Sequence, residues 1–169
     1  SDVILAVSVE TSSKVWEGYS PVNLERVVAA SASVANYCSG EGFNLGFFSN
    51  GTPVLSDLPM RIPASQSKDQ LKVILETLAT IGPISSGPMS ENLNKWYRKF
   101  PFGSTVVVVT SFITEQLLTS LENISKFGCR VVLINVANEP LYSATDNILK
   151  YELGTHFSEM ESKGEFVPI

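Results

Sequence analysis

Ser8, Glu10 and Ser12 alternate at the end of an apolar run, in the stretch "VILAVSVETSSKVW" at residues 3–16. Alternating oxygen donors with a carboxylate among them are the kind of set that binds a hard divalent cation. Mg²⁺ takes oxygen ligands and ordinarily one or two carboxylates. Two further stretches offer the same type of donor: Ser85 and Ser86 in "IGPISSGPMS", and Thr110, Ser111 and Thr114 after "STVVVVT". Together they supply many hydroxyls and a single carboxylate, Glu10. Neutral hydroxyls do not offset the dehydration cost of a divalent ion. Two readings stand: a degenerate site with no cofactor, and a weak Mg²⁺ held by Glu10, Ser12 and Ser86.

Other chemistries have less material. His156 is the only histidine, and Cys38 and Cys129 are far apart, so Cys/His zinc sites and histidine-based triads lack ligands. There is no Gly-x-Ser-x-Gly elbow, which argues against a serine hydrolase and for a non-enzymatic chain. Glycines 40, 42 and 46 lie between a helix and a strand, the wrong order for a dinucleotide fingerprint. Both cysteines fall in apolar patterns and read as reduced, buried thiols.

For the donors to meet, each must leave the same edge of one sheet. Val3 to Val9 reads as a strand buried on both faces, as do "GFNLGFF", "STVVVVT" and "CRVVLINV". Ser20 and Pro21 predict a helix start, followed by Leu24, Val27, Val28, Ser31, Val34, Ala35 and Cys38 on one face. Glu25 and Arg26 are expected on that helix's surface. A helix opening at Ser67, with Gln70 in a capping box, carries Leu71, Ile74, Leu75 and Leu78. "ENLNKWYRKF" reads as a short helix and "TEQLLTSLENISKFG" as one closed by Gly128. "SATDNILKYEL" reads as a last helix capped by Ser143 and Asp146, with His156 in a solvated polar tail. Prolines 53, 59 and 63 confine any hairpin near 53–62 to a sheet edge, and 82–90 is expected as a loop.

Strands alternating with helices predict an α/β fold with a mostly parallel sheet of five or six strands. Val3–Val9 and Thr105–Thr110 should be adjacent in its middle. Ligands then bind beyond the carboxyl ends of the strands. That edge should gather Ser8, Glu10, Ser12, Ser86 and Ser111, with Glu10 paired to a hydroxyl, a backbone N–H or Lys14. Trp16, Tyr19 and Phe112 flank it and are candidates for a partner surface.

At 169 residues, 44% apolar and 17% charged, the chain fits one globular domain, residues 1–169. Its net charge of −5 argues against nucleic acid or an anionic membrane surface as a partner. No apolar run reaches a membrane span's length. The start at Ser1, directly before a strand, suggests a domain excised from a longer protein.

A strand, Asp-x-Ser-x-Ser and a helix open the von Willebrand factor type A domain, and "SVETSSKVW" resembles that opening with its acids lost. On this resemblance Ser8 stands for the first Asp, Glu10 for the first Ser, and Ser12 for the last Ser. Ser86, or Ser85, matches the threonine of the adhesion-type metal site, and Ser111 its second Asp. A narrower resemblance covers nearly the whole chain. "VWEGYSPVNLERVVAASASVANYCSGEGFNLGFFSNG", "SKDQLKVILETLATIGP" and "STVVVVTSFITEQLLTSLENISKFGCRVVLINV", in this order, resemble the prokaryotic domain-of-unknown-function-58 family.

That resemblance implies a three-layer, Rossmann-like von Willebrand A-type α/β fold, with a mixed, mostly parallel sheet and helices on both faces. It implies a protein-interaction domain working with a MoxR-type AAA+ ATPase, whose gene often neighbours the family's. It also implies a cytoplasmic domain in a full-length protein anchored to the inner membrane outside this segment. The alternative is a metal-dependent ligand-binding domain with an active Mg²⁺ site.

Overall fold

The computed structural model describes residues 1–12, 15–54, 60–141 and 146–165. Five helices and a six-stranded sheet form three layers. The strands are β1 (Asp2–Val7), β2 (Asn44–Ser49), β3 (Gly51–Pro53), β4 (Arg61–Ser65), β5 (Ile81–Ser85), β6 (Thr105–Thr110), β7 (Arg130–Asn135) and β8 (Ile148–Glu152). The helices are α1 (Pro21–Gly40), α2 (Gln70–Thr80), α3 (Met89–Trp96), α4 (Glu115–Lys126) and α5 (Gly154–Ser162). The main sheet runs β4-β2-β1-β6-β7-β8, with β4 alone antiparallel. β1 and β6 are central and paired, Val3 opposite Thr105 and Val7 opposite Val109.

These two strands are apolar at nearly every position because both of their faces are covered. Val3, Leu5, Val7, Val107 and Val109 face one core with Val27 of α1, Ile74 and Leu78 of α2, and Phe157 of α5. Ile4, Ala6, Val106 and Val108 face the other with Met89 and Leu93 of α3, and Leu117, Leu121 and Ile124 of α4. The period of two along a strand thus splits one apolar run between two cores. Cys38 lies in the first core and Cys129 in the second; both are free thiols. Ser20 caps α1 by accepting the Asn23 N–H at 3.2 Å, and Thr114 caps α4 by accepting from Leu117 at 3.0 Å. Beyond α4, Gly128 takes φ +109°, which a side chain resists.

β2, β7 and α3 form where expected, while other elements depart from expectation where pairing partners are distant in sequence. β3 and β4 do not pair with each other as a hairpin, although the expected antiparallel edge is present. β4 forms the antiparallel edge beside β2, while β3 pairs with β5 in a separate two-stranded sheet. Residues 81–85, of which 82–85 were expected in a loop, are therefore a strand. α2 begins after Asp69, and Gln70 serves as no capping box. Its amide donates instead to the Leu45 carbonyl at 2.6 Å and the Pro63 carbonyl at 2.8 Å, tying α2 to β2 and β4.

Residues 148–152 are a strand, not a helix, because β7 offers them an open edge. Ile148 is buried while Leu149 and Tyr151 are exposed, so tertiary pairing overrides a short helical pattern. Ser143 lies outside the described residues. The polar tail folds as α5, on which His156 is exposed. No helix among the described residues is long and apolar enough to cross a membrane.

Arg26 is the largest departure. It is not at the helix surface but buried, 4% exposed. Its guanidinium pairs with Glu161 of α5 and donates to the Val136 carbonyl at 3.0 Å, Asn138 Oδ1 at 3.1 Å and Ser158 Oγ at 3.2 Å. It also lies 5.8 Å from the Phe157 ring centroid. One side chain thereby locks α5 to α1 and to the turn after β7.

Candidate functional site

Three loops leave the carboxyl ends of β1, β2 and β6 and meet the segment that follows β5. Ser8 is fully buried, and its Oγ accepts from the Glu10 N–H at 3.4 Å. Ser111, nearly buried after β6, donates its Oγ–H to the Glu10 carbonyl at 3.2 Å. Ser86 donates to the Asn50 carbonyl, through its N–H at 2.7 Å and through Oγ at 3.2 Å. Four of the five expected donors thus gather around the Glu10–Asn50 contact. Ser12 does not join them; its hydroxyl donates to the Gly18 carbonyl at 3.2 Å within its own loop. Ser85 is held in β5 opposite Gly51. Thr110 is occupied by Phe112, and Thr114 by the α4 cap.

Glu10 is turned inward. Its Oε1 accepts from the Met89 N–H at 2.6 Å, at the first turn of α3, and from Asn50 Nδ2 at 3.3 Å. A carboxylate at a helix N-terminus is favoured by the exposed N–H groups there. Lys14, the other expected partner, lies outside the described residues. Burial nonetheless pushes the Glu10 carboxyl above its ordinary 4.5, against the lowering effect of the Met89 N–H, and Glu91 adds a further upward push. Glu91, on the first turn of α3, is a second carboxylate near Glu10 that reading each stretch separately leaves unconnected.

The sequence reading also misses Asn50, the fully buried hub of the site. Its Oδ1 accepts from the Val9 N–H at 3.0 Å, and its Nδ2 donates to Gly87 O at 3.1 Å as well as to Glu10. A lone Asn before a Gly signals a turn, and nothing local distinguishes this one.

The donor set can be compared with what a divalent cation needs. Every hydroxyl gathered here is engaged with backbone, and the inward carboxylate already accepts two hydrogen bonds. Among the described residues, no three His, Cys, Asp or Glu side chains are grouped as metal ligands. Outside this polar knot Trp16 is 82% exposed and Tyr19 is half exposed. Phe112 is half-buried.

A pH dependence follows. The folded protein holds the Glu10 proton to higher pH than the unfolded chain does. That contribution to stability is fully present below about pH 4.5 and is lost as pH rises through the folded value. Glu10→Gln keeps an oxygen acceptor for Met89 and has no charge to bury. Its unfolding free energy, measured by urea titration from acid to neutral pH, should therefore lack this downward slope. A slope equal to wild type would place the titration elsewhere.

No family model and no curated protein matches the chain. Solved structures do. An aerotolerance-related membrane protein from Bacteroides fragilis, with multiple mutations to serines, matches with TM-score 0.59 at 12% identity over 97% of this chain and 96% of its own. The conserved hypothetical protein BatB from Bacteroides thetaiotaomicron matches with TM-score 0.52 at 11% identity, over 98% of this chain and 99% of its own. Proximal thread matrix protein 1 from the mussel byssus matches with TM-score 0.58 at 12% identity over 96% of this chain. This chain spans only 46% of the mussel protein's length. Identities this low speak for architecture alone: the chain has the three-layer, Rossmann-like α/β fold of von Willebrand A-type domains.

Proposed function

We propose that this chain is a non-enzymatic protein–protein interaction domain that presents its carboxyl-edge loops to a partner without a bound metal. The observation that supports it most is the state of Glu10. Its Oε1 is committed inward to Met89 and Asn50, where an adhesion-type site would aim its acids outward at a cation. Around this inward-facing knot, Trp16 and Tyr19 give an aromatic surface of the kind that anchors interfaces. On the resemblance described above, the partner is a MoxR-type AAA+ ATPase. The full-length protein is then anchored in the inner membrane by segments outside this one, with this domain in the cytoplasm.

The test is a binding titration of the chain against the MoxR-type ATPase of the same genome, with and without Mg²⁺ and a chelator. Saturable binding that survives chelation is expected. Trp16→Ala should weaken it by roughly tenfold or more, the loss of a hot-spot side chain. Binding that vanishes with chelator, or is indifferent to Trp16, would overturn the reading.

One observation favours the alternative of an active Mg²⁺ site. Glu91 is close enough to push the Glu10 carboxyl upward, which brings a second carboxylate into its neighbourhood, and two can suffice for Mg²⁺. Calorimetry of the wild-type chain with Mg²⁺ and Mn²⁺ separates the two. Micromolar binding abolished by Glu91→Gln would establish the alternative.

A further inference from the structure

The net charge of −5 conceals a local reversal at the opposite, amino-terminal edge of the sheet. From the end of α3 to the start of β6 the chain reads "KWYRKFPFGS", three cations and four aromatics in ten residues. Residues 101–104 form a tight turn: the Ser104 N–H donates to the Pro101 carbonyl at 3.0 Å, and Gly103 takes φ +78°. Phe102 stands at its tip, 83% exposed. Its ring rests over Gly128, where a Cβ would collide with it. The tip is thus braced against the end of α4 while its outer face is bare.

Exposed cations lie on the segment before the turn and on the last turn of α4. Arg98, Lys99 and Lys126 are at the surface. Tyr97 and Phe127 meet edge-to-face, their ring centroids 5.4 Å apart, and Tyr97, Arg98, Lys126 and Phe127 line one shallow groove. Among the described residues, no carboxylate stands within ion-pair distance of these three cations. Glu122, one turn before Lys126 on α4, does not reach it. An apolar tip, next to segments whose cations have no carboxylate partner and lie by aromatic rings (Lys99 Nζ 5.0 Å from the Trp96 centroid, the Arg98 guanidinium 5.9 Å from that of Tyr97), matches a bilayer interface. There, aromatic rings sit at headgroup level and basic side chains meet lipid phosphates. An acidic protein segment would satisfy the cations but gives Phe102 no reason to be bare.

We propose that the Phe102 turn, with Arg98, Lys99 and Lys126 on the segments next to it, is a docking surface for an anionic lipid bilayer. The site lies across the sheet from the carboxyl-edge loops, so both surfaces can be engaged at once. It does not depend on the function proposed for those loops. Each cation should strengthen membrane partitioning about fivefold, the equivalent of about 1 kcal/mol near an anionic surface.

Vesicle co-sedimentation of the 169-residue chain tests this, using phosphatidylcholine alone and an equal mixture with phosphatidylglycerol. Binding to the mixed vesicles only, falling as salt is raised, is expected. Arg98→Glu with Lys99→Glu should abolish it, and these surface positions leave the cores untouched. Phe102→Trp should bind like wild type, and the emission this variant gains over wild type should shift to the blue on the anionic vesicles. Equal binding to both vesicle types, no binding, or an unshifted emission from the Phe102→Trp variant would overturn the proposal. So would binding to polyglutamate that the mixed vesicles do not compete away, which would make the patch a protein-docking surface.

Discussion

Replacing Arg26 with alanine is expected to destabilise the chain by about 3–5 kcal/mol, the cost of breaking a buried ion pair by removing one partner. Equilibrium urea unfolding measures it. The side chains of Arg26 and Glu161 are 5% and 17% exposed. The truncation strands Glu161 and removes the donor from the Val136 carbonyl, Asn138 and Ser158. The partly buried Glu161 carboxylate and the buried Val136 carbonyl carry the loss, so a variant that removes both charges should recover much of it. Arg26→Met with Glu161→Met should lie closer to wild type than Arg26→Ala does. Arg26→Lys should remain well below wild type, because an ammonium lacks the planar fork that reaches four acceptors at once. Limited proteolysis should cut the α5 region of Arg26→Ala first. Loss below about 1 kcal/mol would show that α5 is held by its apolar contacts, Phe157 above all.

The same residue shows where sequence reading stops. An arginine beside Glu25 on an amphipathic helix reads as solvated, and its five donors find their acceptors more than a hundred residues away. β1 and β6 are legible because burial on both faces leaves a continuous apolar run, a purely local signature. The cap at Ser20 is legible for the same reason: the capped N–H lies three residues on. β8 and β5 are not, since each is short and owes its extended state to a partner strand rather than to its own composition. α5 is lost in a polar segment with only Phe157 and Gly154 buried. At the site, Ser8, Glu10 and Ser111 can be placed because strand ends fix them. Asn50 and Glu91 cannot, because their importance lies in which loops they touch.

Ser8→Asp with Ser111→Asp is expected to produce a protein that is markedly less stable without Mg²⁺ and rescued by it. Ser8 is fully buried and Ser111 nearly so, and both already contact Glu10 through hydrogen bonds. Two added carboxylates there would stand beside a Glu10 whose charged form is already disfavoured by burial and by Glu91. Without a cation the three acids repel, and the unfolded state relieves them. With a cation they supply the negative oxygens that the wild-type hydroxyls do not. A ligand that binds only the folded state stabilises it by about 2.7 kcal/mol at a hundred times its dissociation constant. Thermal melts with Mg²⁺ and with chelator should therefore separate for the double variant and coincide for wild type. NaCl at matched ionic strength controls for screening of the added charge. If wild type shifts as much as the variant, the natural site already binds Mg²⁺ and the metal-free reading fails. If neither shifts while the variant is merely unstable, the loops do not aim these positions at a common point.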